Sequence, residues 1–460
     1  MDVKGASEPS SYPSSFRPTE DRKRWKRVLI YTFAVCAVAV LNFRSEIYSM
    51  LFPSHWQSLP LDDFPDLPLH CADKTPIKTS EFTARQTALA HALYADRAIY
   101  IAEPGANTLY YGNFSDGDWK LSERPLLLMV APTGSGDDVV ADITVLTPKF
   151  EATRAKLLPI PAGANLSYVS WAEEANPYEI AASAFAAAPT TVYVDPSIRH
   201  FIVDGFQKAL PDAKVVIAPN SVRQLRERKT PAELELMKCV NEATLLALRA
   251  THKRLYAGIR ESQARAIVAD ALTAIGLKDG GCLTLFGDNA ALPHGTGTDR
   301  VLGANDYALF DCTADLHGYK SDLTRTVALP SAHIPADHLQ IWDHVHAAQS
   351  AALKTAKAGV EMRKVDEAAR ERLEATSYAP YFTHRLGHGI GLEVHEDPYL
   401  RGGNDLIIKT GHTFSDEPGV YIEGKVGVRL EDCFYVDEES GEGVLFTAGV
   451  GGQATSPWSP

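Results

Sequence analysis

Residues 309–327 read LFDCTADLHGYKSDLTRTV. An apolar lead runs into Asp311, a β-branched run follows Asp322, and His317-Gly318 falls between them. This pattern predicts two strands of a hairpin that turns near His317-Gly318. Folding the segment back on itself would let two carboxylates, eleven positions apart, approach one another. Carboxylates inside strand-like runs are costly to bury unless they are paired or bound to metal.

Three further segments of the same half carry residues of this kind. Residues 384–398, HRLGHGIGLEVHEDP, hold His384, His388 and His395, and Gly387, Gly389 and Gly391 around the middle histidine let backbone approach a site closely. Residues 414–422, FSDEPGVYI, hold Glu417, and residues 427–436, GVRLEDCFYV, place Arg429 and Glu431 on an expected strand. Each signal is modest alone. An Asp in a strand-and-turn region is more often a turn former or a surface charge, and a lone His among glycines is usually structural. Glu417, before Pro418-Gly419, could simply be entering a turn. Together, Asp311, Asp322, Glu417 and Glu431 bring four negative charges that two divalent cations would neutralise, with His388 adding a neutral nitrogen. Mixed carboxylate and imidazole donors suit manganese, zinc, cobalt or iron better than a thiolate-selected metal.

Outward from these segments, Thr230-Pro231-Ala232-Glu233 reads as a capping box with Pro at the first helical position. Leu236, Met237, Val240, Ala243, Thr244 and Ala247 follow at helical spacing, so a second domain starts after the charged boundary at 226–229. Upstream, residues 80–95 predict a helix with Ser80 as N-cap, 98–102, 126–131 and 191–194 predict strands, and 198–210 predict another helix. That alternation suggests a small α/β domain over 71–226, followed by a second domain over 227–455 that holds the acidic and histidine segments, with fold class α/β (α+β).

The N-terminus carries a different signal. The basic run RKRWKR at 22–27 precedes 16 uncharged residues, VLIYTFAVCAVAVLNF, at 28–43. As a helix this run spans about 24 Å against a hydrocarbon core of roughly 30 Å, and Trp25 and Tyr48 would sit at the interfaces. The expectation is a disordered cytosolic tail over 1–27, one transmembrane signal anchor over 28–44 and a proline-punctuated stalk over 45–70. The positive-inside rule then makes this a type II single-pass membrane protein with its catalytic half lumenal or extracellular. Ala37-Val38-Ala39 offers the alternative of signal-peptide cleavage and secretion. The sequons at Asn113 and Asn165 are compatible with either.

The 460-residue chain has a formal net charge of -13, which argues against nucleic acid as a partner. Its six cysteines form no CxxC pair, so neither a zinc finger nor a disulfide scaffold is indicated, and Cys312 and Cys433 read as core thiols. Histidines outside the segments named here follow no ligand spacing and read as surface or packing residues.

The combined segments closely resemble the pita-bread metallopeptidases, in the Xaa-Pro aminopeptidase and prolidase branch, over residues 75–450. The first half resembles that branch's creatinase-like domain more weakly, through stretches such as NTLYYGN at 107–113. The resemblance implies that Asp311 binds one metal, that His388 and Glu417 bind the other, and that Asp322 and Glu431 bridge the pair. It makes His294, in LPHGTGTDR at 292–300, a neighbour of the scissile amide. His384 and His395 would contact substrate or the tetrahedral intermediate, and Arg429 would support the last ligand. One departure is visible: Thr313 stands where the family usually has glycine.

The implied activity is exopeptidase hydrolysis of Xaa-Pro bonds by a metal-bridged hydroxide, with Glu417 relaying a proton to the leaving nitrogen. The implied cofactors are two divalent ions, manganese first, with zinc or cobalt as alternatives. The implied partners are a peptide with proline at the second position and a second copy in a homodimer. An aminopeptidase and a dipeptidase both fit. A creatinase-like hydrolase works without metal, and a methionine aminopeptidase would not need the preceding α/β domain. A non-catalytic binding protein on this fold would have lost ligands, and none is lost here.

Overall fold

In the computed structural model, which describes residues 64–65, 67–161 and 165–460, the alternation in the first half folds as one mixed sheet flanked by helices. The strands are β1 (Ala98–Ala102), β2 (Leu127–Thr133), β3 (Val140–Pro148), β4 (Leu166–Trp171), β5 (Thr191–Val194) and β6 (Lys214–Ile217), in the order β4-β3-β2-β1-β5-β6. β1, β5 and β6 run parallel, while β2 is antiparallel to both neighbours. The longer helices of this half are α1 (Thr79–Tyr94), α2 (Ala106–Gly112), α3 (Pro177–Ser183) and α4 (His200–Ala209). α1 starts one residue before the predicted cap, and its N-cap is Lys78 rather than Ser80.

The capping box forms as read. α5 (Pro231–His252) opens with the Thr230 hydroxyl accepting from the Glu233 N–H, and Glu233 reaches back to the Thr230 N–H at 2.9 Å. α6 (Glu261–Ala274), α7 (Ala336–Thr355) and α8 (Met362–Glu374) are the other long helices of this half. They pack on antiparallel sheets. β7 (Lys278–Phe286), β8 (Ala308–Leu316) and β9 (Tyr319–Val327) form one. A second has the order β11-β10-β12-β15-β16, from β10 (Gly387–Gly389), β11 (Glu396–Leu400), β12 (Thr413–Asp416), β15 (Asp432–Val436) and β16 (Gly443–Leu445). β13 (Gly419–Ile422) and β14 (Val426–Arg429) pair as a hairpin. α5 packs on β8 and β9, α6 on β7, α7 on β12 to β14 and β16, and α8 on β11.

One hydrophobic core runs through both halves, from Leu89 and Tyr111 to Leu236, Phe310 and Phe434. A buried polar network crosses the same boundary. Arg85 on α1 pairs with Glu81 at 2.7 Å and Glu233 at 3.2 Å, and it donates to the Tyr319 hydroxyl, which itself donates to Glu233 at 2.8 Å. Tyr319 opens β9, so this network fixes the hairpin that carries Asp311 and Asp322.

Two sequence expectations are corrected. Four cysteines form disulfides, Cys71–Cys239 and Cys282–Cys312, and only Cys433 is a free thiol among the described residues. Partners separated by 168 and 30 positions leave no local spacing signal, so the pairing appears only once the fold brings them together. Cys282 and Cys312 face one another across β7 and β8. The expectation of a type II membrane protein is also overturned: among the described residues no helix is long and apolar enough to cross a membrane. The run at 28–43, the tail before it and most of the stalk lie outside the described residues, as does the cleavage site of the secreted alternative.

Candidate metal centre

The hairpin turns at His317 (φ 53°) and Gly318 (φ 92°), as its sequence predicts. Register places Asp311 opposite Thr324 and Thr313 opposite Asp322. Directly paired residues share a face, and so do residues two apart on a strand. Asp311, Thr313, Asp322 and Thr324 therefore point to the same side. Thr313, which departs from the resembled family, sits in unbroken strand.

Onto this face the second sheet brings the remaining residues. His388 is the middle residue of β10, where Gly387 and Gly389 press against backbone: a Cβ on Gly387 would lie 2.0 Å from the Ser415 carbonyl oxygen. Glu417 follows β12, and its N–H donates to the Leu386 carbonyl at 2.9 Å. Glu431 does not lie on a strand as expected. It falls in the break between β14 and β15, held by its N–H to the Thr324 carbonyl at 3.0 Å and by Arg325, which donates to its carbonyl at 2.7 Å.

Ligand-capable atoms converge in three overlapping groups, each within 4.8 Å: Asp311, Asp322 and Glu431; His388, Glu417 and Glu431; and Asp322, His388 and His395. The side chains of Asp311 and Glu417 are 20% and 16% exposed and face the opening, whereas Asp322 at 7% and His388 at 1% form the floor. His384 and Arg429 lie beside the cluster. Arg429 Nη2 donates to Asp311 Oδ2 at 2.7 Å and Nη1 to the Tyr421 hydroxyl at 3.1 Å, and that hydroxyl lies 2.9 Å from His384 Nε2. His294 is exposed, and its charge would oppose charge on His384 and His395.

Do these residues fit divalent cations? Three observations say so. His388 Nδ1 lies 3.0 Å from the Gly389 carbonyl, so the proton belongs there and the Nε2 lone pair faces Asp322 and Glu417, each at 3.4 Å. Three acceptors facing one another repel unless a cation lies between them. Glu431 Oε2 accepts from the Thr324 hydroxyl at 2.6 Å, but its Oε1 is buried without a hydrogen-bond partner. Burial and mutual repulsion push the carboxyls of Asp322 and Glu431 well above the ordinary range, and burial raises Glu417. Burial favours the neutral form of the histidines: it lowers His384 and His395 to about 4, and His388 is lowered too.

Several residues here carried no sequence signal that was used. Thr324 bonds Glu431 and accepts from Arg429 Nε, Tyr421 links Arg429 to His384, and the Ser415 hydroxyl accepts the His388 N–H at 3.1 Å. Thr324 was findable, two positions beyond Asp322 on the same strand face. Arg385 was not. Its guanidinium stacks over Tyr399, its charge is felt at Glu417, His388 and His395, and it makes no ion pair among the described residues. Beside His395 a cavity of about 180 Å³ opens, lined by Tyr100, Asn107, Asp195, Arg226 and Tyr399 among others.

A face of acids and one imidazole, set between antiparallel sheets under a helical cover, defines a metal-dependent peptidase of the pita-bread fold. The chain belongs to metallopeptidase family M24, in its Xaa-Pro aminopeptidase and prolidase branch, and residues 235–438 match the family model. It is 33% identical to an uncharacterised peptidase of Schizosaccharomyces pombe over 98% of this chain and all of that one. It is 37% identical to a Lactobacillus delbrueckii Xaa-Pro dipeptidase over 46% of this chain and 58% of that one. The crystal structure of dipeptidase PepE from Mycobacterium ulcerans superposes with a TM-score of 0.72 at 30% identity, covering 81% of this chain and 97% of that one.

Proposed function

We propose that this chain is a dinuclear metal-dependent exopeptidase that cleaves Xaa-Pro bonds, and that it prefers dipeptides. The observation that carries the dinuclear reading is the sharing of Glu431 between two ligand groups while one of its oxygens is buried and unpaired. Asp311 would then serve one cation, His388 and Glu417 the other, and Asp322 and Glu431 both. The donor set suits manganese, with zinc or cobalt as alternatives. Residues 227–455 act as the catalytic half, and residues 71–226 supply Tyr100, Asn107 and Asp195 to the cavity wall.

When bound, such cations lower the pKa of water and polarise a carbonyl. The chain's residues do the rest. His395, neutral at physiological pH, offers an N–H to the oxyanion without adding charge repulsion beside the cations. Arg429 holds Asp311 and orders Tyr421, which in turn orients His384. Glu417, at the open edge, would take a proton from the attacking water and pass it to the leaving nitrogen. A bond before proline leaves that nitrogen without a hydrogen, so recognition depends on shape and on the rest of the peptide.

Dipeptide preference follows from Arg385. A guanidinium without an ion pair among the described residues, its charge felt at Glu417 and His395, suits a free carboxylate, which in a dipeptide lies one residue from the scissile bond. The relative named as an Xaa-Pro dipeptidase supports this choice.

The test compares an Xaa-Pro dipeptide, its C-terminal amide and an Xaa-Pro tripeptide, with manganese or zinc added. The free dipeptide is expected to exceed its amide in kcat/KM by about 10- to 100-fold, the worth of a hydrogen bond to a charged group. Arg385→Ala is expected to erase that difference. Equal rates on acid and amide would sink the dipeptide preference, and no cleavage of any Xaa-Pro peptide by metal-loaded protein would sink the whole reading.

A further inference from the structure

The loop that carries His294 leaves β7 after Phe286 and returns at Arg300, and both of its ends meet one buried side chain. Glu261 is the first residue of α6 and 1% exposed. Its Oε1 accepts from the Phe286 N–H and from Asn289 Nδ2, both at 2.8 Å. Its Oε2 accepts from the N–H groups of Thr298 at 3.2 Å and Arg300 at 3.1 Å. The Glu261 N–H completes the junction by donating to the Arg300 carbonyl at 3.1 Å.

The approach is close enough to exclude a side chain. Gly297 has φ +72°, and a Cβ there would lie 2.5 Å from Glu261 Oε2. On its other side the loop's first turn rests on β14, where a Cβ on Gly427 would lie 1.8 Å from the Ala290 carbonyl oxygen. β14 ends at Arg429, the partner of Asp311. The loop is thus held between a carboxylate on α6 and the strand that delivers Arg429 to the metal cluster.

We propose that Glu261 is the positioning residue that sets His294 against the reaction centre. This rests on the exopeptidase reading and on the place beside the scissile amide that the family resemblance gives His294, whose charge acts on His384 and His395. A buried carboxylate that takes four N–H donors makes four charge-assisted bonds and fixes both ends of the loop together. A neutral residue of the same size cannot do so. In Glu261→Gln the amide presents N–H groups where the loop also presents N–H groups, so one end is released while the volume is kept.

The test is a double-mutant cycle on the metal-loaded enzyme with Glu261→Gln, His294→Ala and the pair. Glu261→Gln is expected to lower kcat about 10- to 100-fold through misplacement of His294, with metal content unchanged and KM altered far less. In the His294→Ala background the same substitution is expected to change kcat less than about twofold, as sites acting through one group are not additive. Amide hydrogen exchange at Phe286, Thr298 and Arg300 is expected to accelerate, with or without metal. A full additive loss in the His294→Ala background, or unchanged kcat alongside accelerated exchange, overturns the proposal. Wild-type activity in His294→Ala removes the reading of His294 and this proposal with it, whereas a loss there with none in Glu261→Gln overturns the positioning role alone. Should Glu261→Gln fail to fold, Gly297→Ala displaces the same carboxylate and enters the same cycle.

Discussion

Replacing Glu431 by glutamine is expected to lower kcat/KM by more than about 100-fold, the most that loss of a group merely supporting a ligand costs, while making the metal-free protein more stable. The two signs come from one geometry. Glu431 takes the Thr324 hydroxyl on one oxygen and leaves the other buried and unpaired. Burial, then Asp322, Glu417 and Asp311, drive its carboxyl well upward. Without metal, burial and three acidic neighbours oppose a charge at this position, and Arg429 offsets them only in part. An amide keeps the shape, removes the charge and offers N–H donors to its acidic neighbours, relieving about 1–3 kcal/mol of unsatisfied burial. With metal, the same amide cannot serve as an anionic bridge. Thermal unfolding of the chelated proteins, read beside steady-state kinetics, checks both signs. A chelated variant that melts below wild type would show that Glu431 is a stabilising structural acid instead.

The second large effect is on the pH dependence of stability. Asp322, Glu431 and Glu417 all have folded pKa values above their ordinary ones, and burial with Asp432 nearby does the same to Asp416. A carboxyl with a raised folded pKa holds its proton more tightly in the native state. As pH rises through the ordinary carboxylate range, the unfolded chain releases these protons first, so the contribution of these acids to metal-free stability falls from there up to the raised values. Metal reverses the trend, because the acids must be deprotonated to bind it. The gap in Tm between metal-loaded and chelated protein is therefore expected to widen from about pH 5 to pH 8. His384 and His395, near 4, stay neutral across that interval and do not blur it. A gap that narrows with rising pH would mean that the acids are not the groups that bind.

Much of this was readable in the chain because local rules carried it. The 309–327 hairpin announced itself through two apolar-flanked carboxylates and a His-Gly turn, and the turn forms at those residues. The helix start at Thr230 followed from three capping residues in four positions. What was not readable depended on contacts between distant segments. Cys71 and Cys239 pair across 168 positions. Glu431 leaves its strand because Thr324 and Arg325 pull its backbone toward β9. Tyr421 and Arg385 acquire their places only when β13 and the segment before β10 meet the cluster. Glu261 carries no signal in its neighbouring residues of the loop it holds from 25 positions away.

The most direct measurement is an anomalous difference map from crystals of the manganese-loaded protein, read with metal analysis of the same sample. Two peaks about 3.5–4 Å apart, enclosed by Asp311, Asp322, His388, Glu417 and Glu431, with two ions per chain, are the expected result. A single peak, or peaks away from those five side chains, would contradict the shared-ligand cluster and the hydrolytic role built on it.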